Sequence, residues 1–161
     1  MAWAKNGTSN TLSGTSDDCD ITDLTAKKFN QILFHKIPSG NARAYTTFND
    51  DNGTNYAERY SLNGGTDGTL TSSSKFVSVG YYYPANTSFG VAYFINIATK
   101  EKLLISFLID DNGSGSSISP IRVQLVGKWT NTSNQVTRID QNNDHTGDYT
   151  TGTNLTAFGT D

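Results

Sequence analysis

Residues 89–109, FGVAYFINIATKEKLLISFLI, carry the strongest structural pattern in the chain. Apolar residues recur at every second position over 91–97 and again over 103–109, which is the period of a β-strand. The short segment 98–101 between them predicts the turn of a hairpin. Apolar side chains also stand on the second face of these strands, at Phe94, Leu104 and Leu108. We therefore expect both faces of this central hairpin to be partly buried.

Shorter runs of the same kind lie on both sides of this hairpin, separated by clusters of Gly, Ser, Asn and Asp. They predict further strands at 29–37, 42–48, 56–61, 75–83, 121–129, 135–141 and 155–158. The pair 121–129 and 135–141 is expected to form a second hairpin. About eight or nine strands predict an all-β fold, a two-sheet antiparallel sandwich that is jelly-roll-like, with an up-and-down barrel as the alternative.

The composition agrees with a β-rich chain. Its 161 residues include 16 Ser, 22 Thr and 16 Asn, while only 17% are charged, against about 25% in an average domain. Glu, a good helix former, occurs only at Glu58 and Glu101. A chain of this length suits a single domain of roughly 100–200 residues. We expect residues 1–17 to form an extended arm, flexible or docked on a neighbouring subunit, and 18–161 to form one β-sandwich domain.

Charge and hydropathy argue against several classes of protein. A net charge of −3 does not favour nucleic-acid binding, which usually needs a basic patch. The longest apolar run, 103–109, is far shorter than the roughly 20 residues of a membrane-spanning helix. The polar start lacks the apolar segment of a secretory signal, so we expect synthesis in a cytoplasm. Cys19 stands alone and predicts neither an internal disulfide nor a metal site.

The sequence Asp-Asp-Asn-Gly occurs twice, at 50–53 and 110–113, each time after an apolar strand. Clustered carboxylates are the oxygen ligands that Ca²⁺ takes in proteins, but neither run has the spacing of an EF-hand loop. The same residues are favoured in tight turns with left-handed backbone, which is the preferred interpretation. The candidate metal ligands, should calcium bind, are Asp50, Asp51, Asp110 and Asp111.

Catalytic motifs are missing from the sequence. The only histidines are His35, inside a strand pattern, and His145, in a polar loop. No nucleophile elbow, phosphate-binding loop or dinucleotide fingerprint occurs, so we expect a protein that is not an enzyme.

Three consecutive tyrosines precede Pro84 at the end of a predicted strand. Neighbouring residues of a strand point to opposite faces, so at least one tyrosine must meet solvent or a partner. Exposed aromatic residues beside Asn and Asp are typical of surfaces that bind proteins or carbohydrates. The candidate partner-binding or glycan-binding residues are Trp3, Tyr81, Tyr82 and Tyr83.

Three segments resemble small structural proteins of tailed bacteriophages and environmental viruses. They are 48–60 with the following 63–68, then 97–103, and finally 126–132 with 139–140. The resemblance is one of turns and strands that spans nearly the whole chain, and it transfers no catalytic residue. It implies a virion component, either a capsid decoration (cement) protein or a tail-associated module.

The resemblance and the residues together predict a non-enzymatic virion protein made in the host cytoplasm. Its expected role is to decorate the head as a homotrimer that binds between capsomers of the major capsid protein. The alternative is a receptor- or glycan-binding module of a tail fibre or spike, which would recognise a host surface glycan. Neither role involves nucleic acid or a membrane.

Overall fold

A computed structural model describes residues 2–80 and 85–161, with strands throughout. The alternation of apolar and polar residues produces the longest strands, which bury every second side chain; β10, for example, alternates buried and exposed along its whole length. In chain order they are β1 (Ala4–Lys5), β2 (Asn10–Thr11), β3 (Phe29–Lys36), β4 (Pro38–Ser39), β5 (Ala44–Phe48), β6 (Tyr56–Leu62), β7 (Gly68–Ser73), β8 (Phe76–Gly80), β9 (Ser88–Ile95), β10 (Lys102–Asp110), β11 (Ile121–Trp129), β12 (Ile139–Asn143), β13 (Asp148–Tyr149) and β14 (Asn154–Thr160).

Nearly all of the longer strands join one large antiparallel sheet, in the order β1-β14-β3-β9-β10-β11-β6-β7, with β2 also paired to β14. A small sheet, β12-β5-β8, and the pair β13-β4 complete the architecture. The expected all-β class, with antiparallel sheets forming a sandwich, is confirmed. The strands are more numerous than the eight or nine expected, because several two-residue strands left no pattern in the sequence.

Aromatic rings fill the space between the large and small sheets. Phe48 from β5 lies at the centre, with its ring 4.9 Å from that of Phe94 and 5.8 Å from that of Trp129. Tyr56 contacts Phe76 at 4.9 Å and stacks on Trp129. All five side chains are almost fully buried. Their packing fixes the small sheet over one face of the large one, which we call the inner face.

The central hairpin is present as expected. β9 and β10 are antiparallel neighbours in register, with Leu104 opposite Phe94 and Phe107 opposite Val91. Both strands sit in the middle of the large sheet, between β3 and β11. The fold is therefore built around the residues with the strongest alternation.

The second predicted hairpin is wrong. β11 pairs with β10 and β6, whereas β12 pairs with β5 in the small sheet. The chain leaves the large sheet after Trp129, and the side chain of Asn96 binds the segment that leads to β12. Asn96 Oδ1 accepts a hydrogen bond from the Val136 amide at 2.7 Å, and Asn96 Nδ2 donates to the Val136 carbonyl at 3.0 Å. These bonds satisfy the backbone that a hairpin would have paired.

The first residues lie on the same sandwich as the rest of the chain. Ala4 and Lys5 pair with β14, and Asn10 and Thr11 do the same further along. Asn6, between the two short strands, is buried and donates to Asn30 Oδ1 at 3.0 Å. In this chain the segment expected to be an arm forms one edge of its own large sheet.

Within 2–80 and 85–161, no helix is long and apolar enough to cross a membrane.

Candidate functional site

The face of the large sheet that the small sheet does not cover is the most distinctive surface of the described chain. We call it the outer face. It is built by the alternate residues of β3, β9, β10, β11 and β6 that point away from the small sheet. The hairpin strands contribute most of its apolar side chains, because both of their faces are apolar.

The outer face is apolar at its centre. Exposed fractions range from 38% for Tyr93 to 53% for Leu103 and Ile109. Intermediate burial at Phe29, Leu33, Val91, Ile95 and Phe158 extends the same surface. The large side chains that remain exposed there are Trp3, Phe89, Tyr93, Leu103, Ile105, Phe107, Ile109 and Val126.

This exposure refines one expectation from the sequence. Both faces of the central hairpin were predicted to be partly buried, and the inner face is, with Leu104 and Leu108 at 2% and 1% exposure. On the outer face, Ile105 and Phe107 stay about half exposed, at 49% and 47%. The small sheet has three strands and covers only one side. The sequence pattern shows that the strand is apolar on both faces. It does not show whether other parts of the same chain cover both of those faces.

The register of the strands places these side chains in continuous rows. One row runs from Gln31 through Tyr93, Ile105 and Val126 to Arg59, each residue lying opposite the next on the neighbouring strand. Polar Gln31 and Arg59 flank the apolar residues of this row, and Phe158 lies beyond Gln31 on β14. An apolar centre with a polar rim is the anatomy of a protein interface.

Two of the charges at the rim are paired within the chain. Lys128 Nζ lies 3.0 Å from Glu101, and Arg59 lies 3.3 Å from Asp67. On the opposite side, Gln31 Nε2 donates to the Tyr93 hydroxyl at 2.9 Å. These two ion pairs leave a partner little uncompensated charge at Lys128 and Arg59.

A hollow at one end of the outer face has a volume of about 310 Å³. Trp3, Phe29 and Tyr93 form part of its wall, and Leu103 and Ile105 form another part. The Trp3 indole meets the Tyr93 ring edge-on, with centroids 6.4 Å apart. Trp3 is thus brought to the outer face, where its ring is 48% exposed.

The other aromatic candidates, Tyr81, Tyr82 and Tyr83, lie outside the described residues. Their role stays a prediction. The residues that the sequence analysis missed are the outward side chains of β10, which it expected to be partly buried and did not name as candidate binding residues. The sequence did contain a signal for this exposure. A strand that is apolar on both faces needs apolar residues to cover each face, and the rest of the chain is rich in polar residues.

The first Asp-Asp-Asn-Gly segment forms a turn. The Asp51 carboxylate accepts from the Trp129 indole at 2.6 Å, from the Gly53 amide at 2.9 Å and from Asn55 Nδ2 at 2.9 Å. Burial raises the pKa of Asp51, but these hydrogen bonds outweigh it and hold the pKa below its ordinary value. Asp50 adopts a left-handed backbone with φ of 55°. These contacts stabilise a turn that holds the Trp129 side chain in place.

The second segment also forms a turn. Asp110 is buried and accepts from Asn86 Nδ2 at 2.7 Å and from the Asn112 amide at 3.2 Å. Burial raises its pKa, while those bonds and the nearby Lys36 ammonium partly oppose the rise. Lys36 is fully buried, and burial lowers its pKa to about 8 despite the attraction of Asp110 and Asp111. Asp111 accepts from the Gly113 amide at 3.3 Å.

Metal ligands are not gathered at either turn. Among residues 2–80 and 85–161, no group of three or more His, Cys, Asp or Glu side chains could hold a metal ion. Calcium binding by Asp50, Asp51, Asp110 and Asp111 therefore stays a prediction without a cluster to support it.

Comparison with known proteins adds little about function. No family model matches the chain, and no curated protein matches it in sequence. A solved structure described as "Crystal structure of HCR/D-Sa-GBL1/C" is similar over 96% of this chain, with 11% sequence identity and a TM-score of 0.30. The match covers 43% of that chain, less than half its length. A similarity at this level carries no argument about function, which is inferred below from the chain's own surface.

Proposed function

We propose that this chain is a non-enzymatic structural protein of a virion, a decoration or cement protein that binds between capsomers of a phage head. The observation that carries the proposal is the outer face. Its exposed side chains leave about 700 Å² of apolar surface in water, taking roughly 150–250 Å² for each fully exposed aromatic ring. The largest apolar patch on a typical monomer is about 300–600 Å², so a patch of this size supports a function that involves a partner.

A rigid β-sandwich suits this role. The aromatic core and the ordered turns hold the outer face in one shape before it meets a partner, which keeps the entropy cost of association low. The turn at Asp51, which fixes Trp129 through a 2.6 Å hydrogen bond, is one such device. The virion location, the capsid partner and the homotrimer expected from the sequence belong to this proposal.

The test is the composition of purified particles. Virions produced by the virus that encodes the chain are banded on a density gradient, and their proteins are quantified by mass spectrometry. We expect peptides of this chain to band with the major capsid protein in many copies per particle. Its absence from intact particles, or recovery only with separated tails, would contradict the decoration role.

Exposed aromatic residues at the hollow favour a second candidate, a receptor- or glycan-binding module of a tail fibre. Trp3 presents a half-exposed ring beside Tyr93, an arrangement on which a sugar ring can stack. Binding of the chain to a glycan array, lost in Trp3→Ala and kept in Trp3→Phe, would support this role. An array without any binding signal would remove it.

A further inference from the structure

We infer that the outer face is covered by further copies of this chain, packed through the apolar residues of β9 and β10. The inference deepens the proposed function and rests on it for the biological setting, since it names the partner that the outer face binds first. The capsid would then be contacted by other surfaces of the assembled protein.

The area of the face fits a copy of the same chain. A stable protein interface buries about 800 Å² on each partner. The roughly 700 Å² of exposed apolar side chain, with its polar rim, reaches that size without any other surface of the chain. The face is also continuous, because paired strands place Tyr93, Ile105 and Val126 side by side.

The charge of the face also favours a copy. Lys128 and Arg59 already have acidic partners in the same chain, in Glu101 and Asp67. A strongly charged partner would gain little from such a rim, whereas a second copy brings the same neutral, apolar centre. A glycan needs hydrogen-bonding groups, and those of Gln31 and Tyr93 at the rim bond to each other.

The hollow beside Trp3 supplies a place for an anchor. Its walls are almost entirely apolar, and its volume of about 310 Å³ accommodates a large side chain. Interfaces concentrate their binding energy where such a side chain fills a pocket and excludes water. The outward residues of β10, led by Phe107, are the side chains that a second copy presents to it.

The experiment measures the mass of the full chain in solution by native mass spectrometry and sedimentation equilibrium. We expect a dimer or trimer of the 17.5 kDa chain, with the trimer as the state predicted from the sequence. Ile105→Asp should convert it into a monomer, because each copy would bury an unpaired carboxylate at the interface. Thr146→Asp, an exposed change in the loop that follows β12 of the small sheet, is the matched control and should keep the oligomer.

A folding readout accompanies each variant. Circular dichroism should show the same strand signal for Ile105→Asp as for the unchanged chain, since Ile105 is already half exposed in one copy. Because the native thiol of Cys19 is buried, Ile105→Cys can also be oxidised to test contact directly. Cross-linked copies are expected with Ile105→Cys and not with Thr146→Cys.

The possible failures can be told apart. A folded monomer at micromolar concentrations, with no cross-linking through Ile105→Cys, would overturn the inference whatever the virion assay shows. If that monomer still coats particles and Ile105→Asp abolishes coating, the outer face binds the capsid directly and the proposed function survives. An oligomer that is absent from virions would instead support the inference and remove the proposed function.

Discussion

Both faces of strand β10 carry apolar side chains, although Lys102, Ser106 and Asp110 also point inward, and the two faces differ in what covers them. Leu104 and Leu108 pack beneath the small sheet and are almost fully buried, whereas Ile105 and Phe107, their immediate neighbours, are about half exposed. One face therefore stabilises the folded chain, and the other leaves apolar surface exposed, which we propose binds a partner. The difference shows that alternation locates a strand, while the function of each face depends on the rest of the fold.

The largest difference in stability should appear between two Phe→Ala substitutions, one in the core beneath the inner face and one on the outer face. Phe48→Ala removes the ring at the centre of the aromatic core and should lower the free energy of unfolding by about 3–5 kcal/mol. Phe107→Ala removes a ring that is 47% exposed and should cost less than about 1 kcal/mol in dilute solution. Urea denaturation at low protein concentration measures both. Equal losses would mean that the two faces are not distinct.

A tight contact on the inner face should give the next largest effect. A Cβ atom at Gly127 would lie 2.8 Å from Cε1 of the buried Phe76 ring, so the ring would have to move. Gly127→Ala should therefore lower the free energy of unfolding by about 1–3 kcal/mol. Val126→Ala, one residue earlier on the outer face, is the matched control for thermal denaturation. A neutral Gly127→Ala would show that the core is looser than its contacts indicate.

The stability of the region around Asp20, beside the small sheet, should also depend on pH. Burial, followed by the charges of Asp140 and Asp18, raises the pKa of Asp20 to about 6. The folded chain then binds this proton more tightly than the unfolded chain, so the contribution of Asp20 to stability falls as pH rises from about 4 to 6. Compared with Asp20→Asn, the unchanged chain should lose up to about 2 kcal/mol between pH 4 and 7. Urea denaturation of both proteins at the two pH values measures this difference, and a constant difference would contradict the assignment.

Substitutions on the outer face should have the smallest effect on the stability of a single folded copy. Their effect should appear instead in how the melting temperature depends on protein concentration. Since association stabilises the folded state, the melting temperature of the unchanged chain should rise between about 1 µM and about 100 µM. Leu103→Ser should keep the melting temperature of the dilute protein and remove most of this rise. A concentration-independent melting temperature for the unchanged chain would remove the contrast between the faces.

Local patterns predicted the class of fold and its central hairpin. They failed where contacts between distant parts of the chain determine the structure. The hairpin of β9 and β10 follows from alternation and a short polar turn, both of which are visible in the sequence. The path from Trp129 to β12 does not, because the hydrogen bonds between Asn96 and Val136 join residues that are 40 positions apart. The exposed face escaped prediction for a related reason, since no local pattern states how many strands the covering sheet has.

The pairing of β1 with β14 determines how the chain responds to mechanical force. Ala4 lies opposite Gly159 in an antiparallel pair, so the two ends of the described chain leave the sheet at the same point. A pulling force between them opens the hydrogen bonds one after another, as in a zipper, instead of loading them together in shear. The first event under tension should therefore be the peeling of β1 at low force. Strands β9, β10 and β11 lie further inside the sheet and should remain folded after it.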